Sequence, residues 1–548
     1  NLFYALTAKA NVLEELYSKT QKIEYATYSL ETYESAYKLI DYVAKTYNSD
    51  EARIFLSKIK YIVHGKPVKA TLLLYTKTND EKYLETAYYL DQKTKATTLV
   101  FNQNNEINDT DEFSDLQKEE KNVKEQITRL SLKGAQENNV AQKIKLESAI
   151  RDAEIELDKI QDKIKQKKSG TSIEFIPSSN KLQHDFLNDE TAILSYHLAD
   201  SSLTTFIIKK ESLNYKHQKL PTKFYNDLES YIKNVHAVGF LNNNASLSEK
   251  LYDYLVPLSQ LESIKHLILI PEDILNFLPF ESLKNQGDFL INNFSVSYQY
   301  STALLQKKVK TLSKNRTLGF APFYSNAAYS FPKLPRSASE FENSTGTFLI
   351  DTIATKQQFI TQYLKYNVLH IATHAVMSDT SPDLSYIAFS PIKAVQKDNY
   401  LLYAKEIYNL DLKESDLVIL SACETGIGTL LKGEGMMSLS RAFAYAGCPS
   451  IVTSLWKADD ESTAYIINLF HKYLNDGLSI DAALQKAKLD YLQDTKINPR
   501  KKHPFYWAHL VFIGYQKPAT TSKLYYLLLL PLILIGVYFV LNYHKRSR

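Results

Sequence analysis

The sequence is poor in cysteine, glycine and proline. Its 548 residues include 2 cysteines, 15 glycines and 16 prolines. Cys423 and Cys448 are too few to form a disulfide framework, so we expect free thiols. Because glycine and proline are the strongest chain breakers, their scarcity favours long helices over a loop-rich fold.

An excess of charge of either sign is also missing. The 65 basic and 61 acidic side chains leave a net charge of +4. This balance does not suggest a nucleic-acid-binding protein, which would carry a clustered basic face, and we predict no nucleic-acid partner. The hydrophobic content of 44% is that of a globular protein. The length predicts two to four domains.

The C-terminal segment 524–543 contains no charged residue and has tyrosines near both ends. Its length is sufficient to cross a bilayer, so we predict a transmembrane helix here, followed by a basic tail at 544–548. Basic flanks prefer the cytoplasm, which favours an extracytoplasmic (periplasmic) soluble part over a cytoplasmic one. No export signal is present, but a start at Asn1 rather than Met is compatible with processing.

Residues 1–110 show apolar and aromatic residues at helical spacing. Ala36 and Ala87 can be aligned, and the same 51-residue offset then matches Tyr37 with Tyr88. Small residues flanked by aromatics are typical of helical repeats. The region is therefore either a degenerate tetratricopeptide-like repeat or an ordinary helical bundle, and it is a candidate docking site for a protein partner.

Residues 111–170 are rich in Glu, Lys and Gln, with apolar residues at alternating steps of three and four. This pattern predicts a coiled-coil-like helical hairpin that turns near 134–139. We interpret it as a spacer or a partner-binding arm.

Residues 171–515 switch to strand patterns. Three closely spaced segments at 192–200, 203–211 and 213–220 predict an antiparallel meander. Later apolar runs such as LVIL, separated by helical stretches, predict an α/β fold with a largely parallel sheet. In open α/β sheets ligands bind beyond the carboxyl ends of strands.

Two histidines, His370 and His374, lie four residues apart in NVLHIATHA. A zinc-protease helix would need H-E-x-x-H, but Ile371 stands where the glutamate is required. In a strand the two residues are about 13 Å apart and cannot share one ion. We therefore predict no metal at these histidines, and a metal-dependent hydrolase is the disfavoured alternative.

A cysteine follows the apolar run in DLVILSACETGIG. Cys423 is placed at a strand end beside a glycine-bearing turn, where a thiol can act as a nucleophile and backbone N–H groups can bind an oxyanion. His374, 49 residues upstream, has the order and spacing of a caspase-like base. Alone, each residue is more typical of packing or structure. Together they indicate a dyad, and His370 is left as a structural residue of the strand.

Several blocks in order give the sequence its resemblance to a family. They are HIATHA, LVILSACETGIG, GEGMMSLSRAFAYAGCPSIVTSLW, HPFYWAHLVFIGY, ILIPEDILNFLPFESL and LPRSASEFE. The sequence over residues 172–515 resembles a CHAT domain, the caspase-like peptidase module often attached to tetratricopeptide repeats. The resemblance implies a mostly parallel sheet flanked by helices and peptide-bond hydrolysis without a cofactor.

Carried over by position, the family nucleophile is Cys423 and its base is His374. The oxyanion is expected to be held by the backbone N–H groups of Ala375 and Cys423. Caspase-like enzymes usually have glycine where this chain has Ala375, and alanine is disfavoured if the position requires a positive φ.

Substrate preference is less determined by the sequence. Candidate pocket residues are Glu424, Ser454, Trp456 and Asp460. Acidic residues around a pocket would favour a basic residue at the cleavage position, although carboxylates at a helix start are also favoured structurally. Trp456 is equally typical of a core, and Cys448 is expected to be buried and inert.

The sequence thus predicts a membrane-anchored cysteine endopeptidase acting on a protein or peptide substrate and regulated through its N-terminal helices. The alternative is a catalytically inactive scaffold of the same fold that assembles a membrane complex.

Overall fold

The computed structural model describes ten stretches of the chain: 2–104, 111–167, 176–199, 201–237, 244–305, 316–327, 331–391, 399–422, 425–457 and 459–516. Cys423, Glu424 and the predicted transmembrane segment 524–543 with its tail lie outside these residues. None of the helices in the described stretches is long and apolar enough to cross a membrane. The described residues form a helical N-terminal region followed by an α/β region with one large sheet.

Helices occupy the first part of the chain. They are α1 (Leu2–Thr20), α2 (Ile23–Thr46), α3 (Asp50–Tyr61), α4 (Gly65–Thr78), α5 (Glu81–Gln92) and α6 (Thr97–Asn104). α1 packs on α2, and α4 packs on α5. Ala36 and Ala87, the two alanines matched by the internal repeat, have no exposed surface and lie in one apolar cluster with Tyr37 and Tyr88.

Two long helices follow, α7 (Asp111–Gln136) and α8 (Val140–Lys167). They pack on each other through a small cluster that contains Val123, Ala153, Ile160 and Ile164. α7 also contacts the α/β region, because Leu132 is buried in a cluster with residues of that region. The hairpin is therefore attached to the α/β region along part of its length.

The α/β region contains the remaining elements. Its helices are α9 (Ser179–Asp185), α10 (Phe224–Val235), α11 (Asn244–Leu255), α12 (Lys356–Gln362), α13 (Ala404–Ile407), α14 (Leu439–Tyr445), α15 (Asp460–Asn475) and α16 (Ile480–Gln493). Its strands are β1 (Thr191–Ala199), β2 (Ser202–Lys209), β3 (Ser212–Lys219), β4 (His266–Ile270), β5 (Lys284–Asn285), β6 (Asp288–Phe289), β7 (Ser295–Tyr298), β8 (Thr317–Ala321), β9 (Gly346–Ile350), β10 (Val368–Ile371), β11 (Ala375–Val376), β12 (Tyr386–Ala388), β13 (Leu401–Tyr403), β14 (Leu417–Leu420), β15 (Gly428–Leu431), β16 (Gly435–Ser438), β17 (Ser450–Ser454) and β18 (Leu510–Gly514).

Eleven of the described strands form the large sheet, in the order β3-β2-β1-β4-β7-β18-β17-β14-β10-β8-β9. β1, β4, β7 and β18 are parallel to one another, and so are β17, β14, β10, β8 and β9. β17 and β18 pair antiparallel. The two parallel groups therefore run in opposite directions, and their carboxyl ends lie at opposite edges of the sheet.

The expectation of a largely parallel sheet is confirmed. The predicted antiparallel meander forms β1, β2 and β3, and it joins the large sheet because β1 also pairs with β4. A second sheet consists of β11, β12 and β13. A further hairpin, β15–β16, projects from the chain that follows β14.

The buried alanine of the repeat provides a test of the helical packing. We expect Ala87→Leu to lower the free energy of unfolding by about 1–3 kcal/mol, since added methylenes in a filled core force neighbouring side chains out of place. Denaturant unfolding of the whole chain measures this effect. Ala8→Leu, at an exposed position of α1, is the control and should change stability little; equal losses in both variants would contradict close packing around Ala87.

Candidate active site

The pairing of β10 with β14 explains the spacing between the predicted base and the predicted nucleophile. The strands are parallel, from Val368 opposite Leu417 to Ile371 opposite Leu420, and the residue numbers in each pair differ by 49. His374 and Cys423 differ by the same number. Each is the third residue after the end of its strand. The two segments that lead to His374 and Cys423 thus begin at paired positions on neighbouring parallel strands.

His374 is held by a main-chain oxygen. Its Nε2 atom lies 2.8 Å from the carbonyl oxygen of Pro332. Since a carbonyl only accepts hydrogen bonds, Nε2 carries the hydrogen and Nδ1 keeps its lone pair. The ring is stacked on Phe331 at a centroid distance of 5.5 Å and also contacts Phe323. Both the tautomer and the orientation of the imidazole are therefore fixed.

The surroundings of His374 favour its neutral form. Burial lowers the pKa of His374, and the positive charge of Lys457 lowers it further, while the hydrogen bond to the Pro332 carbonyl acts in the opposite direction. A neutral imidazole with a free Nδ1 lone pair is the form that can accept a proton. His374 is thus prepared to act as a base near neutral pH.

The chain on the far side of Cys423 is anchored in the interior. Thr425 is fully buried, and its hydroxyl accepts a hydrogen bond from Thr453 Oγ1 at 2.9 Å. The carbonyl oxygen of Thr425 accepts from the N–H of Ser440, and the N–H of Gly426 donates to the Ser454 carbonyl oxygen at 2.8 Å. These contacts fix the turn to β17 and to the start of α14.

Ala375 adopts a conformation that suits alanine. It lies in β11, the edge strand of the three-stranded sheet, so its backbone is extended. The N–H of Ala388 donates to the carbonyl oxygen of His374, and Ala375 is opposite Ile387. Since hydrogen-bonded and non-bonded pairs alternate in antiparallel ladders, the N–H of Ala375 points away from β12. The strain anticipated for alanine at a positive φ does not arise.

His370, in contrast, belongs to a buried polar network beneath the strand ends. Its Nε2 lies 2.8 Å from Glu340 Oε2, and its Nδ1 lies 3.0 Å from His471 Nε2. The hydroxyl of Ser421 donates to the same Glu340 oxygen at 2.5 Å. Because Ser421 directly follows β14, this network holds the chain two residues before Cys423.

The network is uncharged. Burial raises the pKa of Glu340 to about 8 and lowers the pKa of His370 to about 3. Glu340 and His370 are close enough for an ion pair, but ionising both groups in a fully buried place costs more than their attraction returns. A protonated Glu340 can donate to His370 Nε2 while accepting from Ser421, which leaves every partner satisfied.

The remaining predicted site residues that the structure describes lie at or beyond the carboxyl end of β17, which is parallel to β14. Ser454 ends β17, and its hydroxyl donates to the Trp456 carbonyl oxygen. Trp456 is buried, donates its indole N–H to the Phe505 carbonyl oxygen and stacks on His236. Asp460, at the first position of α15, accepts from the N–H of Arg336 at 2.9 Å. Their role in a substrate pocket stays a prediction, and Glu424 lies outside the described residues.

Cys448 is buried, and burial raises the pKa of its thiol to about 12. Its Sγ donates to the Ser450 carbonyl oxygen. A thiol in this environment stays protonated and is a poor nucleophile.

Sequence reasoning missed the segment that covers the strand ends. Pro332 and Phe331 hold His374, and Glu340 holds His370 and Ser421. The signal was present in LPRSASEFE, where Glu340 directly precedes an aromatic residue, Phe341. The segment precedes β9 in the chain, and only the sheet order brings it over β10 and β14.

The titration of Glu340 provides a test of the network. A carboxyl whose pKa is raised from 4.5 to about 8 in the folded state contributes stability that is present below pH 4.5 and is lost as the pH rises towards 8. Glu340→Gln cannot ionise, and its amide NH₂ group can donate one hydrogen bond to His370 Nε2 and one to the oxygen of the Ser421 hydroxyl. We therefore expect this variant to gain stability relative to the wild type between pH 5 and pH 8.5, measured by denaturant unfolding.

Glu342→Gln is the matched control, because Glu342 is exposed and lies two residues away. Its effect on stability should not change over the same pH range. A difference between Glu340→Gln and wild type that is independent of pH would show that Glu340 is ionised in the folded protein.

Comparison with known proteins gives the family. The model of the family described as "CHAT domain" matches residues 245–515. Tetratricopeptide repeat protein 28 from Homo sapiens is 26% identical to this chain, and the Mus musculus protein is 23% identical. Each match covers 46% of this chain and only 12% of the relative's length.

Solved structures with a similar arrangement include the separase–securin complex of Saccharomyces cerevisiae and the Arg-specific cysteine proteinase gingipain R. The separase–securin structure at 2.6 Å has a TM-score of 0.48 and 11% identity, and covers 94% of this chain and 40% of its own. Gingipain R has a TM-score of 0.31 and 11% identity, and covers 54% of this chain and 75% of its own. The family match and the ordered sequence blocks together show that residues 245–515 of this chain are a CHAT domain.

Proposed function

We propose that this protein is a caspase-like cysteine endopeptidase in which Cys423 is the nucleophile and His374 the base. The observation that carries the proposal is the shared offset of 49 residues: His374 and Cys423 follow the ends of two neighbouring parallel strands at the same distance. The fixed tautomer of His374 and the anchored turn after Cys423 support it.

In this mechanism His374 Nδ1 takes the proton of the Cys423 thiol, and the thiolate attacks the carbonyl carbon of the peptide bond. The N–H groups of Ala375 and Cys423 stabilise the oxyanion. The C–N bond then breaks, and His374 returns the proton to the leaving amine, which leaves a thioester. Water, deprotonated by the same nitrogen, hydrolyses the thioester and restores the thiol.

Labelling and cleavage test this proposal together. A panel of thiol-directed peptide reagents should modify Cys423, as identified by mass spectrometry of the purified chain. Cys423→Ala should abolish both labelling and peptide cleavage. His374→Ala should lower the labelling rate by at least about 100-fold, since the base contributes about 10²–10⁴-fold to such reactions.

Cys448→Ala is the control, and it should label like the wild type because its thiol is buried and protonated. If Cys423 reacted no faster in the wild type than in His374→Ala, and no cleavage depended on either residue, the peptidase would be rejected. The inactive scaffold would then be the better description of the chain.

The N-terminal helices contact the hairpin that follows Cys423. Glu434, at the tip of β15–β16, is fully buried and accepts hydrogen bonds from the hydroxyls of Thr97 and Thr98 at 2.6 and 2.9 Å and from the N–H of Thr98. It also pairs with Arg441 at 2.7 Å. Glu434 thus caps α6 and fastens this helix to the hairpin, since a carboxylate is stabilised at a helix N-terminus.

Gly433, the residue before Glu434, also packs closely against the helical region. Gly433 has a φ of 81°, and a Cβ atom here would lie 2.7 Å from Ser57 Oγ of α3. The tip of the hairpin therefore touches both α3 and α6. We propose that a protein partner on the helical region acts on the catalytic turn through this hairpin.

Thr98→Val provides a test of this coupling. It removes one hydroxyl donor to the buried carboxylate of Glu434 with little change in shape, and a hydrogen bond to a charged group contributes about 1.5–3 kcal/mol. We expect kcat/KM for a peptide substrate to fall at least several-fold per folded molecule. The destabilised Ala87→Leu variant is the control and should keep its kcat/KM; equal losses in both variants would mean that activity follows overall stability.

Membrane attachment also stays a proposal, which rests on the uncharged sequence 524–543 alone. We propose that this segment anchors the protein in a membrane. The basic tail favours a topology in which the tail is cytoplasmic and the preceding part of the chain is extracytoplasmic. The accessibility of the CHAT domain to a protease added to intact cells measures this topology.

A further inference from the structure

A second group of chemically reactive side chains lies outside the candidate active site. His64, in the turn between α3 and α4, His197 of β1 and Glu272, two residues after β4, each offer one ligand atom, and these atoms lie within 4.8 Å of one another. β1 and β4 belong to the parallel group that runs opposite to β10 and β14. The cluster therefore lies at the other edge of the sheet, where the helical region packs on it.

Each of the three side chains is already oriented through its other polar atom. His64 Nδ1 lies 2.7 Å from the Tyr61 carbonyl oxygen, and His197 Nδ1 lies 3.1 Å from a carboxylate oxygen of Asp91. Glu272 Oε2 accepts from the N–H of Leu198 at 2.6 Å. Metal-binding histidines usually donate their second N–H to a carbonyl or a carboxylate in this way.

Two of the remaining atoms have no partner. Within the described residues, His197 Nε2 and Glu272 Oε1 are buried and make no hydrogen bond. The side chains of His197 and Glu272 are only 3% and 5% exposed. With Nδ1 donating to Asp91, His197 Nε2 presents a bare lone pair, and Glu272 Oε1 is an acceptor too. Two buried acceptors that lack a donor are costly to bury, and a bound cation would satisfy both of them.

His64 supplies a third lone pair. Its Nε2 lies 2.9 Å from the Leu198 carbonyl oxygen and 3.9 Å from Glu272 Oε1. A neutral imidazole has one N–H and cannot donate to both the Tyr61 and the Leu198 carbonyls. A cation bound to Nε2 removes this conflict, and the Leu198 carbonyl then supplies a further oxygen.

We propose that His64, His197 and Glu272 bind a Zn²⁺ ion that joins the helical region to the sheet. Two imidazoles and one carboxylate are a donor set that zinc prefers. A tetrahedral zinc site has ligand atoms about 3.4 Å apart, so the present separations require only a small closure around the ion. A cavity of about 30 Å³, lined by Glu272, Tyr61 and Gly433, adjoins the cluster at Glu272.

The site would fasten one region to the other, because His64 precedes α4 whereas His197 and Glu272 belong to the sheet. Zinc binding should therefore stabilise the folded chain, and the gain should grow with the logarithm of the free ion concentration above Kd. This inference does not depend on the peptidase activity, since none of the three ligands belongs to the proposed catalytic dyad.

The test uses the full chain, freed of metal with a chelator and then titrated with Zn²⁺ by calorimetry. We expect one equivalent to bind with a submicromolar Kd and to raise Tm by several degrees. Co²⁺ in place of Zn²⁺ should give the intense visible absorption of a four-coordinate ion. His64→Ala and Glu272→Gln should each weaken binding at least about 100-fold, by loss of one ligand.

His184→Ala is the control for adventitious binding, since His184 is 89% exposed and lies beside Asp185; its affinity should equal that of the wild type. Failure of the wild type to bind Zn²⁺, or the weak spectrum of six-coordinate Co²⁺, would overturn the site. Unchanged affinity in Glu272→Gln would also overturn the site. This variant keeps the shape of the side chain, so it tests the site even if His64→Ala folds poorly.

Discussion

The parallel pairing of β10 with β14 is the constraint on which the rest of the candidate active site depends. Both strands are buried on each face, and their apolar side chains fix the register, because a slip of one residue would turn every side chain to the other face. That register places His374 and Cys423 at the same distance along the chain from the ends of adjacent strands. A slip would also break the contact of His370 with Glu340.

Around this pair the protein uses contacts from distant parts of the chain. The carbonyl of Pro332 orients the imidazole, the Glu340 network holds Ser421, and Glu434 ties the following hairpin to α6. The carboxyls of Glu340 and Glu434 are both fully buried, yet their surroundings differ. Glu434 has Arg441 and a helix N-terminus to stabilise its charge, whereas Glu340 has only neutral partners and remains protonated.

The sequence predicted those features that depend on local pattern. Helical periodicity separated the first part of the chain from the α/β region, and apolar runs identified β10 and β14 with a polar residue beyond each. The antiparallel junction of β17 and β18 was not predictable, because either direction satisfies the same buried apolar pattern. The cluster of His64, His197 and Glu272 was also not predictable from the sequence, since its members come from three distant segments and approach one another only when the helices pack on the sheet. Glu340 could be read as a surface glutamate until the fold buried it.

The main-chain partner of His374 has a consequence for how the site tolerates change. The oxygen that holds the imidazole belongs to the backbone of residue 332, so no side chain has to be retained there for the ring to keep its tautomer. A substitution at this position alters the path of the loop but cannot remove the oxygen. Since Nε2 donates to this bond, only Nδ1 is left to exchange a proton, and in the proposed mechanism one nitrogen serves as both base and acid without rotation of the ring. His374 is thus oriented by loop geometry rather than by a third side chain, a role that comparison of side chains alone does not reveal.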